Sequence, residues 1–188
     1  MNEGVSPDTM DSAAQAVRVL TLYALAEFQS GNATTVRVNA DGSSFSVSDD
    51  GRGHAIDRTV AGSPYLPFIY THLDYPFAGH QGGPVQLHGL GMSLVNAMCS
   101  ELCVTVRKKS GTLRITYRAG HLHEEQRDHQ ANDETGNMVA GTVHSQIQPN
   151  HTSTEGIERW LVRVAAASPG LKLYFNGKAV HTPATGVA

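Results

Sequence analysis

Two glycine-rich pieces of this sequence hold the residue types of a ligand site. They are Asp49-Asp50-Gly51-Arg52-Gly53 and Leu87-His88-Gly89-Leu90-Gly91-Met92-Ser93-Leu94-Val95-Asn96-Ala97. The first closes an alternating stretch, Ser44-Phe45-Ser46-Val47-Ser48, which predicts a half-buried strand. An aspartate at a strand end can point its carboxylate into a cleft. The glycines behind it let the backbone turn and a flat ligand come close. The second piece reads as a glycine turn running into an apolar helix from Met92 to Leu102. Such a turn presents free backbone N–H groups and the positive helix end, which suits phosphate. A carboxylate for a base edge beside an amide nest for phosphates is a nucleotide-site layout.

The elements that must position these pieces follow from the pattern. A helix is expected from Asp11 or Ser12 to about Ser30, apolar almost all round through Val17, Val19, Leu20, Leu22, Tyr23, Leu25, Ala26 and Phe28. Glu27 is the only charge between Val19 and Gln29, so it needs a partner. Gly31-Asn32 ends the helix. Thr35–Ala40 and Ser43–Ser48 read as strands around an Asp41-Gly42 turn. A short helix is expected within Pro64–Leu73, then a glycine- and proline-rich loop from Asp74 to Gln86. Cys103–Lys108 and Thr112–Ala119 read as strands around Ser110-Gly111, and Met138–Ile147 as another. Thr152–Ala167 carries Ile157, Trp160, Leu161 and Val164 at helical spacing. Leu171–Phe175 and Ala179–His181 close the pattern as a hairpin around Asn176-Gly177. The fold class expected is α+β, a two-layer sandwich with a mixed, mostly antiparallel sheet and helices on one face.

Composition narrows the function. The chain has 188 residues, 40% hydrophobic and 16% charged, with a net charge of −3. That suits one domain with a sizeable core and advertises no basic surface, so direct DNA binding is not expected. Arg107-Lys108-Lys109 is the densest positive run and reads as a solvated strand end. No signal peptide or membrane-length apolar run is visible, and a cytoplasmic setting is expected. Cys99 and Cys103 lie four apart, expected near one helix end as reduced thiols with no metal pattern around them. His121, His123 and His129 share a polar stretch with Glu124 and Glu125. A solvated loop or edge strand is preferred there to a metal site.

The two glycine motifs, in this order and at this spacing, resemble the ATPase domain of the DNA gyrase B protein and its topoisomerase IV counterpart. That domain belongs to the GHKL (Bergerat-fold) superfamily, with histidine kinases and MutL. The resemblance runs from about Ala13 to Lys178. It implies a single ATP-binding domain, expected over residues 11–182 with flexible ends at 1–10 and 183–188; the family's second, transducer domain would begin about where this sequence ends and is not expected within it. It also implies that Asp49 accepts the adenine amino group, that Gly53 lies beside the base, and that Thr142 of Gly141-Thr142 holds adenine through water. Gly89, Leu90 and Gly91 would cradle phosphate, with Lys108 at the pocket rim. Glu27 and Arg52 would form a structural ion pair, Asn96 would be structural, and 74–86 would be the lid over ATP.

The same resemblance exposes gaps. The family's general-base glutamate falls on Val19, and its magnesium-binding asparagine falls on Tyr23. Valine accepts no proton, and a neutral phenol is a poor magnesium ligand. ATP or another adenine nucleotide is therefore the expected cofactor, magnesium is not expected, and gyrase-type hydrolysis is expected to be lost. One alternative is a pocket repurposed for another small molecule, with Tyr23 as a proton donor near His54 or His88. A further alternative is a partner or decoy module of gyrase that sequesters inhibitors. The partners implied are a nucleotide or other small molecule and, in the last case, a protein.

Overall fold

A computed structural model of the chain describes residues 12–60, 62–72, 88–147 and 154–182. The elements run α1 (Ser12–Gln29), β1 (Thr35–Asp41), β2 (Ser44–Asp49), β3 (Thr59–Val60), β4 (Ser63–Pro64), α2 (Tyr65–Thr71) and α3 (His88–Met98). They continue with β5 (Cys99–Lys108), β6 (Gly111–Arg118), β7 (His121–Asp128), β8 (Gly136–Val143), α4 (Thr154–Ala167), β9 (Lys172–Phe175) and β10 (Lys178–Ala179).

Eight strands make one sheet in the order β10-β9-β1-β2-β8-β5-β6-β7. Only β1 with β9 is parallel; the remaining pairs are antiparallel. β3 and β4 form a separate two-residue ladder in a stretch with no strand pattern. Alternation selects the face. Phe45, Val47, Leu102, Val104, Val106, Leu113, Ile115, Val139 and Leu173 point to the helices and are buried. Arg37, Asn39, Arg114 and Arg118 point the other way and are exposed. The fold is the expected two-layer α+β sandwich, with helices on one face of a mixed, mostly antiparallel sheet.

Several boundaries differ from the sequence expectation. The helix after the second glycine motif begins at His88 and ends at Met98, so Gly89 and Gly91 lie inside its first turn. Cys99 opens β5 and Cys103 follows on the same strand, so the two cysteines do not end a helix. Both are free thiols, and burial pushes the Cys99 thiol up to about 12. The α1 helix buries a stripe through Ala13, Ala16, Val17, Leu20, Ala24 and Leu25, while Leu22 is half exposed, so it is less enclosed than its composition suggests. The polar stretch from His121 is an edge strand whose eight residues are all exposed. The expected lid, 74–86, lies outside the described residues, as do the expected flexible ends, 1–10 and 183–188.

Candidate functional site

Asp49 ends β2 on the helix-facing side and is 9% exposed. Its Oδ1 accepts the Gly51 N–H at 2.9 Å, and its Oδ2 accepts from Asn137 Nδ2 at 3.2 Å. Burial raises the Asp49 pKa, and the hydrogen bonds from Gly51 and Asn137 oppose that shift. The Asn137 amide is itself fixed, because its Oδ1 accepts the His54 N–H at 2.8 Å. One amide thus joins the β2 end, the loop after it and the start of β8.

The neighbouring Asp50 does a different job. Its Oδ1 accepts from the Thr34 and Thr35 amides at 2.7 and 2.8 Å, and its Oδ2 from the Thr34 hydroxyl at 2.6 Å. Burial acts upward on its pKa, but these bonds outweigh it and the net shift is down. Asp50 ties the loop to the turn after α1 and leaves Asp49 as the carboxylate beside the loop glycines.

Glycine spacing sets how closely the backbone packs. A Cβ on Gly51 would lie 2.8 Å from Asp49 Oδ1 and 3.1 Å from Glu27 Oε2. Gly53 has φ +71°, and a Cβ there would meet the Arg107 carbonyl at 2.9 Å. Around this loop Glu27 and Arg52 pair: Arg52 Nη2 to Oε1 is 2.8 Å, and Nε to Oε2 is 3.1 Å. The Arg52 hydrogen bond holds the Glu27 carboxyl below its usual range. Lys108 Nζ donates to the Arg52 and Gly53 carbonyls at 2.9 and 2.8 Å. Burial, then the Arg52 charge, lowers the Lys108 pKa.

Across from the loop, α1 meets α3. A Cβ on Gly91 would lie 2.8 Å from Val19 Cγ1 and 3.9 Å from Tyr23 Cε2. Val19 and Tyr23 therefore stand directly against the glycine turn of α3. Burial, then the Tyr65 phenol, raises the Tyr23 pKa and keeps it protonated. His54 goes the other way: burial lowers its pKa to about 4, with Lys108 adding to the shift and Glu27 opposing it. Asn96 is buried and structural, donating to the Tyr70 carbonyl at 2.8 Å and the Gly120 carbonyl at 2.9 Å. The backbone of His88, Gly89 and Leu90 belongs to α3, and their side chains lie outside the described residues.

Thr142 is not at this site. It pairs with Ser44 in β2 and Glu101 in β5, at the opposite end of β8 from Asn137. Five residue steps along the strand separate the two, roughly 17 Å. Its hydroxyl contacts Ser44 Oγ at 3.2 Å, on the face of the sheet without helices. The residue that reaches Asp49 from β8 is Asn137. Its signal in the sequence is the Thr135-Gly136-Asn137 run ahead of the apolar strand, a second placement for a polar residue next to glycine.

No protein-family model matches the chain. It is 32% identical over 156 residues to the DNA gyrase B protein of Thermus thermophilus, covering 76% of this chain and 24% of that protein. It is 30% identical to the DNA gyrase B protein of Streptococcus pneumoniae over 72% of this chain and 22% of that one. Against the DNA topoisomerase 4 B protein of Pseudomonas aeruginosa the identity is 29%, over 81% of this chain and 25% of the other. The chain belongs to the gyrase B family.

The family relationship extends to three dimensions. The structure superposes on the 43K ATPase domain of Thermus thermophilus gyrase B, solved in complex with an aminocoumarin, with a TM-score of 0.75 and 25% identity. The match covers 89% of this chain and 45% of that one. This is the GHKL, or Bergerat, fold of the gyrase B and topoisomerase IV ATPase domains. The chain spans about a quarter of the length of its curated gyrase relatives. Among the described residues no helix is long and apolar enough to cross a membrane, and no three His, Cys, Asp or Glu side chains gather as metal ligands.

Proposed function

We propose that this chain is a gyrase-B-like domain that binds an adenine-type ligand at Asp49 and has lost gyrase-type ATP hydrolysis. The observation that carries the binding half is the Asp49 carboxylate, buried at a strand end and held by Gly51 N and Asn137 Nδ2. A carboxylate fixed in this way presents an acceptor for an exocyclic amino group, and the adjoining amide supplies a neutral partner for a ring nitrogen. Glycines at 51 and 53 keep the backbone close on one side.

The loss of hydrolysis rests on α1. Val19 and Tyr23 occupy the positions where the resemblance puts a general base and a magnesium ligand, and both pack on Gly91. An isopropyl group offers neither proton acceptor nor metal ligand, and the Tyr23 phenol stays protonated. Glu27, the one carboxylate on α1, is engaged by Arg52. The residues present do not fit a magnesium-bound triphosphate. The same protonation makes Tyr23 a poor proton carrier near neutral pH, which weighs against the repurposed-enzyme alternative.

The test is calorimetric titration with ATP, ADP and adenosine, with and without magnesium, alongside a turnover assay. Binding that ignores magnesium and is weakened by Asp49→Asn is expected, with no magnesium-dependent ATP turnover. Turnover by the pure protein overturns the hydrolysis half. A second reading follows from the likeness to a gyrase B domain solved with an aminocoumarin: the chain sequesters inhibitors of that class. Aminocoumarin binding without any adenine binding would select it. The family relationship supports a cytoplasmic setting for either reading.

A further inference from the structure

We propose that the Asp49 site is built for an uncharged purine ligand, an adenine nucleoside or free base, and discriminates against the triphosphate that the fold implies. This rests on the adenine-site reading above and concerns what lies beyond the base edge.

A triphosphate needs cations or a metal, because several negative charges must be neutralised out of bulk water. The positive groups near the site are already used. Arg52 is engaged on the Glu27 carboxylate through two nitrogens. Lys108 is engaged on two loop carbonyls. Arg18, the only cation of α1, lies over the Trp160 ring at 5.5 Å, on the α4 side. The α2 sequence contains no charged residue, and α3 carries none beyond His88. The sequence from 73 to 87 contains neither lysine nor arginine. Arg58 lies over the Tyr65 ring at 5.1 Å. Among the described residues, what remains for phosphate is the α3 helix end, worth about half a unit charge.

The groups that face α3 are neutral instead. Val19 supplies a methyl in contact with the Gly91 turn, and Tyr23 supplies the ring next to it. The Tyr70 hydroxyl is fully buried and has no hydrogen-bond partner among the described residues. Burial above all raises its pKa, and the phenols of Tyr117, Tyr23 and Tyr65 and the Asp49 carboxylate act in the same direction, so it stays neutral. A phenol is a neutral donor and acceptor, suited to an uncharged polar group. The charges around the loop are the Asp49 and Asp50 carboxylates, the Lys108 ammonium engaged on two carbonyls, and the Glu27–Arg52 pair, so they leave no net positive charge to attract an incoming polyanion.

The deciding experiment is titration of the wild-type chain with adenosine, AMP and ATP, with and without excess magnesium, repeated on Asp49→Asn. Adenosine is expected to bind, AMP and ATP to bind progressively more weakly, and ATP to be weaker by at least about tenfold with no effect of magnesium. The Val19→Glu/Tyr23→Asn double variant is expected to reverse the order when magnesium is present. ATP binding as tight as or tighter than adenosine, and lost in Asp49→Asn, overturns this inference and keeps the adenine-site reading. No binding by any of the three overturns both. The wild-type series decides even if the double variant fails to fold.

Discussion

Asn137 reaches across from β8 to donate its amide to Asp49 Oδ2 at 3.2 Å, while the same side chain accepts the His54 backbone N–H at 2.8 Å. Two demands meet at Asp49. Its pKa is raised by burial, so the folded chain holds that proton more tightly than the unfolded chain does, and stability falls as pH rises through the folded pKa. Asp49→Asn relieves the buried charge but turns an amide nitrogen toward the Asn137 amide, which donates to it in the wild type, so a net cost of about 1 kcal/mol is expected, with adenosine binding weakened more than about tenfold. Urea denaturation and titration calorimetry on the same preparation separate the two effects. Asn137→Ala should lose both, since it strips a partner from Asp49 and from the His54 amide; a cost of about 1–3 kcal/mol is expected.

The Glu27–Arg52 pair is expected to matter less through its charge than through its place. Arg52 is 65% exposed and Glu27 24% exposed, so solvent screens their attraction and a double-mutant cycle should return a coupling close to the error of the measurement. Glu27→Ala should nonetheless cost more than Arg52→Ala, because Glu27 Oε2 also accepts the Arg52 backbone N–H at 3.3 Å. Equal costs for the two single variants would refute this ordering.

Glycines in the left-handed range should differ sharply in tolerance. Gly136 has φ +134°, and a Cβ there would run into the Asp49 carbonyl oxygen. Gly136→Ala must push β2 and β8 apart at the site, and a loss of more than about 3 kcal/mol is expected. Gly177 has φ +79° with open space around it, so Gly177→Ala should cost only about 1 kcal/mol of backbone strain. Thermal melts of the two variants side by side make the comparison.

The pH profile should carry a histidine signature. Burial lowers the His54 pKa to about 4 from an ordinary 6.5. Between those values the unfolded chain takes up a proton that the folded chain refuses, so stability falls as pH drops through this window. Glu27 adds a second loss at lower pH, since its depressed carboxyl is protonated only there. His54→Gln should flatten the upper window and leave the lower one. A denaturation-midpoint profile of that variant identical to wild type between about pH 7 and pH 4.5 would remove His54 from the account.

Most of the fold is legible from period and punctuation. Alternation in Ser44–Asp49 and helical spacing in Thr154–Ala167 place those elements within a residue or two. The misplacements have physical causes. Residues 92–102 are mostly apolar throughout, and a buried strand and a buried helix share that composition. The helix therefore stops at Met98 and the strand begins at Cys99 with no glycine or proline to mark the change. Gly141-Thr142 resembles a ligand motif, but Gly141 is small because a Cβ there would meet Leu102, Phe45 and Cys99 within 3.1 Å. Packing and binding both select glycine, and only the register of β8 against β2 separates them. That register puts Asn137 beside Asp49 and Thr142 far from it.

The parallel pairing of β1 with β9 sets an order of events during synthesis. β1 follows the turn that Asp50 secures, yet its outer neighbour is made more than a hundred residues later, with Thr35 waiting for Lys172. Until a ribosome has passed Phe175, β1 has strand partners on the β2 side alone. Long-range closure of this kind is slow. The nascent chain must hold the half of the sheet that carries Asp49 with one edge open, a template for unwanted strand pairing. A ligand that binds at Asp49 before release would act on this interval, stabilising the β2–β8 half while the far edge is still being built.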